Sequence, residues 1–333
     1  MTTKTWVGGT GSFNNPNDWS PTGTPGPGDI AIIQTGTAIA QEQKLDGFEL
    51  QLQSPASVLD ISDVVFGANF VLSAPPGAGG AAALNATGFN ANYGLIEVGP
   101  SPQFYEFVPP FTITLRDQAP SPGCPRAAAV FVNDGTIQLD SGQPFAIKGA
   151  SADAVLINNG LMDFRAGFAQ AEIGVSVLGN GTIDSGRQVM PAGSALLLAF
   201  VPHVEFGSTV GAGESLVIDG SAFVRLDQPS RFHAVIHGFV PLPVSSPPNL
   251  YTSFFEPEII LANTQVTTYS VADDVLSLWN GSAMVAQLHF ADFAYAKANF
   301  LVSSSGSSTI IEPQGTLTPI GMSSIHAPDH VFG

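Results

Sequence analysis

The amino-acid sequence predicts an all-β fold, a right-handed parallel β-helix (a solenoid) with an aromatic N-terminal cap and an antiparallel C-terminal β segment. The main observation is a short phrase of aliphatic residues followed by an asparagine and a glycine, which recurs between residues 130 and 183. Its asparagines are Asn133, Asn158 and Asn180, at spacings of 25 and 22 residues. A repeat of this length indicates units that cannot bury their apolar face alone and therefore stack on their neighbours. Each unit is rich in aliphatic residues without a helical period, so the stacked units are predicted to be strands.

Composition supports the same fold class. Hydrophobic residues make up 44% of the 333 residues and charged residues only 11%, which is ample apolar material for one long core. A series of Asn-Gly hairpins forming an antiparallel sandwich is the competing interpretation. Hairpin meanders usually place a turn every ~8–12 residues, whereas the central spacings here are about twice as long, so the β-helix is preferred.

The first two segments of the chain are a cap and a long run of coils. Residues 1–30 are expected to form the N-terminal cap, in which Trp6 and Trp19 close the first coil. Residues 31–240 are expected to form the coils of the parallel β-helix. Loop insertions are expected near residues 74–83, 99–110 and 119–126.

The third segment, residues 241–333, is expected to be an antiparallel capping or assembly segment. Asn280 and Gly281 stand between two apolar runs, and this dipeptide is a strong hairpin signal. An antiparallel piece also makes physical sense here, because the last coil of a β-helix leaves an open sheet edge that must be covered.

The recurring phrase also predicts what the interior contains. Six aliphatic residues are expected to stack in rows inside the coils: Val130, Val132, Val155, Ile157, Val175 and Val177. Asn133, Asn158 and Asn180 are the candidate structural ladder, because corner asparagines tolerate positive φ and can hydrogen-bond from one coil to the next. The alternative for these asparagines is a functional role as sugar or ion ligands.

Both ends of the chain resemble a known class of bacterial surface protein. Residues 17–19 read Asn-Asp-Trp, and residues 25–29 read Pro-Gly-Pro-Gly-Asp before a strand. Near the other end, a hairpin and the segment 300–306 follow a Gly-Phe pair. These features are similar to the β-helical passenger and adhesin modules of proteobacterial autotransporters and secreted surface adhesins. That class has Gly-Phe-x-x-Gly-Asp after the last coil, whereas residues 238–243 read Gly-Phe-Val-Pro-Leu-Pro. The resemblance covers about three quarters of the chain and implies a β-helix in an extracellular or cell-surface setting.

Charge and cysteine content exclude several classes of function. The chain has 27 acidic and 10 basic residues and a net charge of −17, and such a surface repels nucleic acid and anionic lipid. Cys124 is the only cysteine, so neither an intrachain disulfide nor a cysteine metal site is expected. The sequence has no recognisable N-terminal signal peptide and no apolar run of the ~18 residues that a membrane helix requires. We therefore expect neither nucleic-acid binding nor membrane insertion.

Three aspartates are the first candidates for chemistry. Asp140, Asp163 and Asp184 follow successive corners at similar spacing and are expected to form an acidic column on one face of the coils. Such a column could hold an acid/base pair or a calcium ion. The alternative is a solvent-exposed row with local ion pairs to Arg165 and Arg187, each of which contributes little stability.

An aromatic loop is the second candidate. Phe104, Tyr105 and Phe107 lie between prolines, and this candidate binding loop could recognise a ligand or could simply cover the flank of the coils. His233 and His237 are four residues apart in strand-like sequence, where their rings would be too far apart to share a metal ion. No cofactor is expected, with calcium as the open alternative.

These observations favour a non-enzymatic structural protein outside the cell or on its surface. It is expected to associate with itself, head to tail, into a bacterial surface filament, layer or matrix. A surface adhesin that binds glycans, with a surface polysaccharide as partner, is the first alternative. A polysaccharide lyase or glycoside hydrolase built on a β-helix is the second alternative.

Overall fold

The computed structural model describes residues 1–54, 56–74, 82–99, 111–120, 127–139, 144–164, 170–185, 203–218, 222–239, 257–291 and 299–314. Within these ranges the protein is all-β, as the sequence predicts: it consists of strands and turns with two single-turn 3-10 helices and no α-helix. No helix in the same ranges is long and apolar enough to cross a membrane.

The strands are short and follow one another closely. Those of the first part of the chain are β1 (Thr3–Trp6), β2 (Thr10–Ser12), β3 (Trp19–Ser20), β4 (Ile30–Ile33), β5 (Gly36–Gln41), β6 (Lys44–Leu45), β7 (Glu49–Leu52), β8 (Ser57–Ser62), β9 (Val65–Phe66), β10 (Val71–Ala74), β11 (Ala83–Thr87), β12 (Phe89–Asn92) and β13 (Leu95–Val98). Those of the middle part are β14 (Phe111–Arg116), β15 (Val130–Asn133), β16 (Thr136–Leu139), β17 (Pro144–Gly149), β18 (Val155–Asn158), β19 (Leu161–Asp163), β20 (Gln170–Ile173), β21 (Ser176–Gly179), β22 (Thr182–Asp184), β23 (His203–Phe206), β24 (Ser215–Val217), β25 (Phe223–Leu226) and β26 (Val235–His237). Those of the last part are β27 (Glu258–Leu261), β28 (Thr268–Ala272), β29 (Val275–Asn280), β30 (Ala283–Phe290), β31 (Asn299–Ser305) and β32 (Ser308–Gln314). The 3-10 helices span Pro16–Asp18 and Pro229–Arg231.

These strands form three sheets. Sheet A has the order β28-β29-β30-β26-β24-β22-β19-β16-β13-β10-β7-β4-β1-β3, sheet B the order β2-β5-β8-β11-β14-β17-β20-β23-β25-β27-β32-β31, and sheet C the order β21-β18-β15-β12-β9-β6.

The chain visits the three sheets in rotation, A then B then C, from β4 to β22. From β7 to β20, each strand therefore pairs with the strand three places before it and with the strand three places after it. For example, β16 pairs in parallel with β13 and β19, and β15 pairs in parallel with β12 and β18. Three long and mostly parallel sheets visited in this order are consistent with a β-helix-like solenoid.

One continuous cluster of buried apolar side chains draws on all three sheets. The prediction of aliphatic rows inside the coils is only partly correct. Val175 and Val177 are buried, but the other four residues are only half-buried, namely Val130, Val132, Val155 and Ile157. Phe131 and Leu156 are the buried apolar residues of those strands. Side chains alternate along a strand, and the buried asparagine that ends each of these strands sets which alternate residues point inward.

Aromatic residues pack together at the N-terminal end of the core. Trp19 makes edge-to-face contacts with Trp6 and Phe13, at centroid distances of 5.2 and 5.1 Å. The indole N–H of Trp19 donates to the backbone carbonyl of Phe13 at 2.9 Å. Residues 1–30 also contribute strands to the sheets, because β1 and β2 pair in parallel with β4 and β5.

Parallel pairing continues beyond residue 240 at the C-terminal end. β27 pairs in parallel with β25, and β30 pairs in parallel with β26. Antiparallel strands then extend both sheets: β28, β29 and β30 in sheet A, and β31 and β32 in sheet B. Asn280 pairs with Ala283 at the end of the β29–β30 hairpin, and Gly281 has a positive φ of 61° in its turn.

Candidate functional site

A row of buried polar side chains runs along the corner where the chain passes from sheet C to sheet A. Asn92, Asn133 and Asn158 are the last residues of β12, β15 and β18, and all three are buried. They are in register across these parallel strands. Parallel pairing places equivalent residues beside one another, so an asparagine repeated in the sequence becomes a continuous row in space.

The asparagines of this row are hydrogen-bonded to one another. Asn92 Nδ2 donates to Asn133 Oδ1 at 2.8 Å, and Asn133 Nδ2 donates to Asn158 Oδ1 at 2.8 Å. The same two amide groups donate to the backbone carbonyls of Thr136 and Leu161, each at 3.3 Å. Buried polar groups that are paired in this way hold neighbouring strands in one register.

A glutamate ends the row. Asn158 Nδ2 donates to Glu214 Oε2 at 2.9 Å, and Glu214 is 0% exposed. Its other oxygen, Oε1, has no hydrogen-bond partner among the described residues. Burial raises the pKa of Glu214, and the hydrogen bond from Asn158 and the nearby backbone N–H of Gly181 oppose only part of that effect.

Asn180, the third member of the predicted ladder, lies outside this row. The register of β18 and β21 aligns Asn158 with Gly179, and Asn180 is exposed at the following position. The corner reads Gly-Asn-Gly here, whereas the two earlier corners read Asn-Asp-Gly and Asn-Asn-Gly. Matching asparagine to asparagine therefore shifts the alignment by one residue. Gly179 has no side chain, and the carboxylate of Glu214 accepts the bond from Asn158 instead.

Sequence reasoning missed both ends of the row, Asn92 and Glu214. The first could have been found, because Asn92 and Gly94 have the same Asn-x-Gly spacing as the later corners. Glu214 has no comparable local signal, since its contact with Asn158 depends on how the strands are registered.

The predicted acidic column lies only partly in the described residues. Asp163 and Asp184 are in register on β19 and β22, with Asp163 buried and Asp184 half-buried. Gln138 is the residue of β16 in register with Asp163. Asp140 lies outside the described residues, as do the two arginines expected beside the column. The structure therefore brings Asp163 and Asp184 together, with a glutamine next to them.

The candidate binding loop, Phe104, Tyr105 and Phe107, lies outside the described residues. Within the described ranges, no group of three or more His, Cys, Asp or Glu side chains is arranged to hold a metal ion.

A cluster of charged side chains that the sequence analysis did not single out lies on sheet B. Arg225 on β25 is in register with Glu205 on β23, and Glu205 is in register with Glu172 on β20. Arg225 Nε lies 2.9 Å from Asp227 Oδ1 and 3.6 Å from Glu205 Oε1. Lys148 Nζ lies 3.2 Å from Glu172 Oε2. These side chains are partly exposed, so solvent screens their ion pairs and they add little stability.

Besides Arg225, the cluster includes two groups with shifted pKa values, Glu205 and its strand neighbour His203. Burial raises the pKa of Glu205, and the charge of Asp227 raises it further. Burial also lowers the pKa of His203, and the charge of Arg225 acts in the same direction. His203 Nε2 is buried and has no hydrogen-bond partner among the described residues. Acids and bases that have shifted pKa values and lie side by side are typical of sites that transfer protons.

Two glycines adjoin the cluster. Gly174 and Gly207 directly follow β20 and β23, between Lys148 on one side and Asp227 on the other. A Cβ atom at Gly174 would meet only the carbonyl oxygen of Ile147, at an ordinary 3.5 Å. Packing therefore does not require glycine at position 174, and two adjacent strands lack side chains there.

No family model matches the chain, and comparisons with curated proteins and with solved structures found no match.

Proposed function

We propose that the chain is a right-handed parallel β-helix that associates with itself, head to tail, as a structural subunit of an extracellular bacterial filament, layer or matrix. The main support is that sheets A and B both end in strands with a neighbour on one side only. β28 pairs only with β29, and β31 pairs only with β32, among the described residues.

The β28 edge has the properties of a strand that another chain can extend. All five of its residues are exposed, and Tyr269 and Val271 are 44% and 39% exposed. Its sequence, Thr-Tyr-Ser-Val-Ala, contains no charge and no proline. Charged residues and proline protect an edge strand from pairing with another chain. An edge strand without them presents free backbone N–H and C=O groups to a second chain.

The opposite end of the molecule presents different edges. Sheets A, B and C begin there with β3, β2 and β6, which have two, three and two residues. A contact between the C-terminal edge of one copy and the N-terminal edge of the next would join two different surfaces. Contacts of that kind do not close on themselves and produce filaments. The resemblance to surface adhesins supports an extracellular setting for such an assembly.

The test is a lysine substitution on the edge strand, Val271→Lys, compared with Met284→Lys. Met284 is 53% exposed on β30, where it pairs with Trp279 of β29, so the control adds the same charge on a strand that β29 separates from β28. We expect the unmodified protein and Met284→Lys to form filaments or lattices in electron microscopy and large species in sedimentation. Val271→Lys should remain small, because a lysine on an edge strand opposes pairing.

Monomers at all concentrations of the unmodified protein would overturn the proposal. Closed dimers without larger species would overturn the head-to-tail arrangement. Equal assembly of the two lysine variants would remove β28 from the interface.

A second candidate function, cleavage of a polysaccharide, is favoured by the charged cluster on sheet B. Glu205 and Asp227 flank Arg225, and the pKa of Glu205 is raised by burial and by Asp227. Glycoside hydrolases use two carboxyl groups, one protonated and one ionised. In this proposal Glu205 gives its proton to the leaving glycosidic oxygen, and the water that then attacks the anomeric carbon returns a proton to Glu205. The neighbouring charge of Asp227 favours the protonated form of Glu205, and the sugar chain lies over Gly174 and Gly207.

Release of reducing ends from a panel of neutral polysaccharides tests the second candidate. Glu205→Gln should lower the rate by at least 100-fold, because the general acid is removed. Glu312→Gln, which changes a glutamate on β32 of the same sheet, should leave the rate within twofold. No reducing ends from any polysaccharide in the panel, or equal rates for the two variants, would rule this candidate out.

A further inference from the structure

The buried glutamate at the end of the asparagine row, Glu214, has no ionised partner among the residues that the structure describes. Its backbone is held in place, because Glu214 N–H donates to Gly211 O at 3.2 Å and Glu214 O accepts from Val235 N–H at 3.0 Å. Its side chain accepts from the amide of Asn158 and lies near the backbone N–H of Gly181, which itself donates to Asn158 O at 2.8 Å. Both of these donors are neutral.

Other charged and titratable groups on the surrounding elements lie in a different environment. Those on the neighbouring strands of sheet A and beside the second 3-10 helix are Asp184, His237, His289, Arg231 and His233. All five are at least partly exposed to solvent, whereas Glu214 is not. None of them is among the causes of the pKa shift of Glu214.

The two protonation states of Glu214 therefore fit this position unequally. The neutral carboxyl keeps one oxygen as the acceptor for Asn158 and carries its proton on the other. The ionised carboxylate places a full charge in the interior, and no described residue supplies an opposite charge beside it. Uncompensated burial of a charge is costly.

We propose that Glu214 is a pH-sensitive element of the fold: the strands on either side of it are held most firmly when its carboxyl is protonated, and they loosen when it ionises. The direction follows from linkage. Because the folded protein holds this proton more tightly than the unfolded chain, the stabilisation is complete below the ordinary pKa of glutamate. It is lost as the pH rises through the raised pKa of the folded state.

The experiment measures urea unfolding of the full chain between pH 4 and pH 8 for the unmodified protein, Glu214→Gln and Glu42→Gln. Glutamine has the shape of the neutral carboxyl and cannot ionise. We expect the folding equilibrium constants of the unmodified protein and Glu214→Gln to be similar at pH 4. With rising pH the unmodified protein should become less stable. The ratio of its folding equilibrium constant to that of Glu214→Gln should fall several-fold by pH 8. Glu42 is exposed, so Glu42→Gln should follow the unmodified protein at every pH.

Hydrogen exchange locates the effect. Peptides covering residues 177–185 and 211–218 should exchange faster in the unmodified protein than in Glu214→Gln at pH 8, and at equal rates at pH 4. Glu214→Met provides a second non-ionisable variant if the glutamine variant does not fold. A difference in stability between the unmodified protein and the variants that does not change with pH would overturn the proposal, since it would indicate a purely steric role of the side chain. Equal exchange of these peptides at pH 8 would do the same.

Discussion

At the residue scale, asparagine suits the corner between sheets C and A because one short side chain both donates and accepts. Asn133 accepts from Asn92 and donates to Asn158, so each amide links the levels before and after it. Aspartate in the same place could accept but could not donate. A buried row of this kind needs every member, because a missing amide leaves a donor and an acceptor unpaired.

Asn133→Ala should therefore lower the free energy of unfolding by about 2 kcal/mol or more, since it leaves Asn92 Nδ2 and Asn158 Oδ1 without their side-chain partners. Asn180→Ala is the matched control. It also changes a corner asparagine, but Asn180 is exposed and outside the row, so we expect a change within ~0.5 kcal/mol. Urea denaturation followed by circular dichroism measures both. Equal losses for the two variants would contradict the assignment of the row.

At the element scale, the corners are shaped by very close stacking of one turn on the next. The backbone N–H groups of Asn159 and Gly160 both donate to the carbonyl oxygen of Asn133, at 2.8 Å each. This arrangement draws the two turns together. A Cβ atom at Gly160 would lie 2.1 Å from the carbonyl oxygen of Gly135, so the glycine is required by the neighbouring backbone.

Gly160→Ala should destabilise the protein by at least about 2 kcal/mol, because the added methyl group would push neighbouring turns apart. Gly9→Ala is the comparison, since a Cβ atom there meets nothing within 4 Å and the glycine does not have a positive φ. We expect Gly9→Ala to be neutral or slightly stabilising. Thermal unfolding of the two variants distinguishes them, and a tolerated Gly160→Ala would show that the turns can separate without cost.

At the scale of the whole molecule, self-association has to overcome a net charge of −17. Copies with this charge repel one another at low ionic strength, and salt screens the repulsion within about 8 Å at physiological concentration. None of the five residues of β28 is charged, so a contact through this strand adds no acidic side chain from it to the interface. Assembly should therefore be measured at physiological rather than low ionic strength.

The sequence predicted the all-β class because its evidence is local. Repeated aliphatic runs with Asn-Gly corners identify strands and turns without any knowledge of their partners. Which side chains of each strand point into the core was predicted less well. Val130 and Val132 were expected inside, yet Phe131 is the buried residue, because an aliphatic strand with apolar residues in both alternate sets does not reveal which set points inward.

The candidate sites likewise divide into residues that the sequence identified and residues that only the fold brought together. Asn133 and Asn158 could be named from their spacing, whereas Asn180 was placed one residue out of register. Glu205 and Arg225 lie on two strands whose sequences are unremarkable by themselves, and Asp227 directly follows the second of these strands. Their proximity depends on the parallel register of β23 and β25.

By itself, the sequence determined the strand chemistry, the corner residues and the acidic character of this protein, because these properties belong to single residues and short segments. Only the tertiary structure decided which side chains meet: Asn158 with Glu214, and Arg225 with Glu205. The physical reason is that these contacts join residues far apart in the chain, and the register that aligns them is set by the packing of all three sheets together.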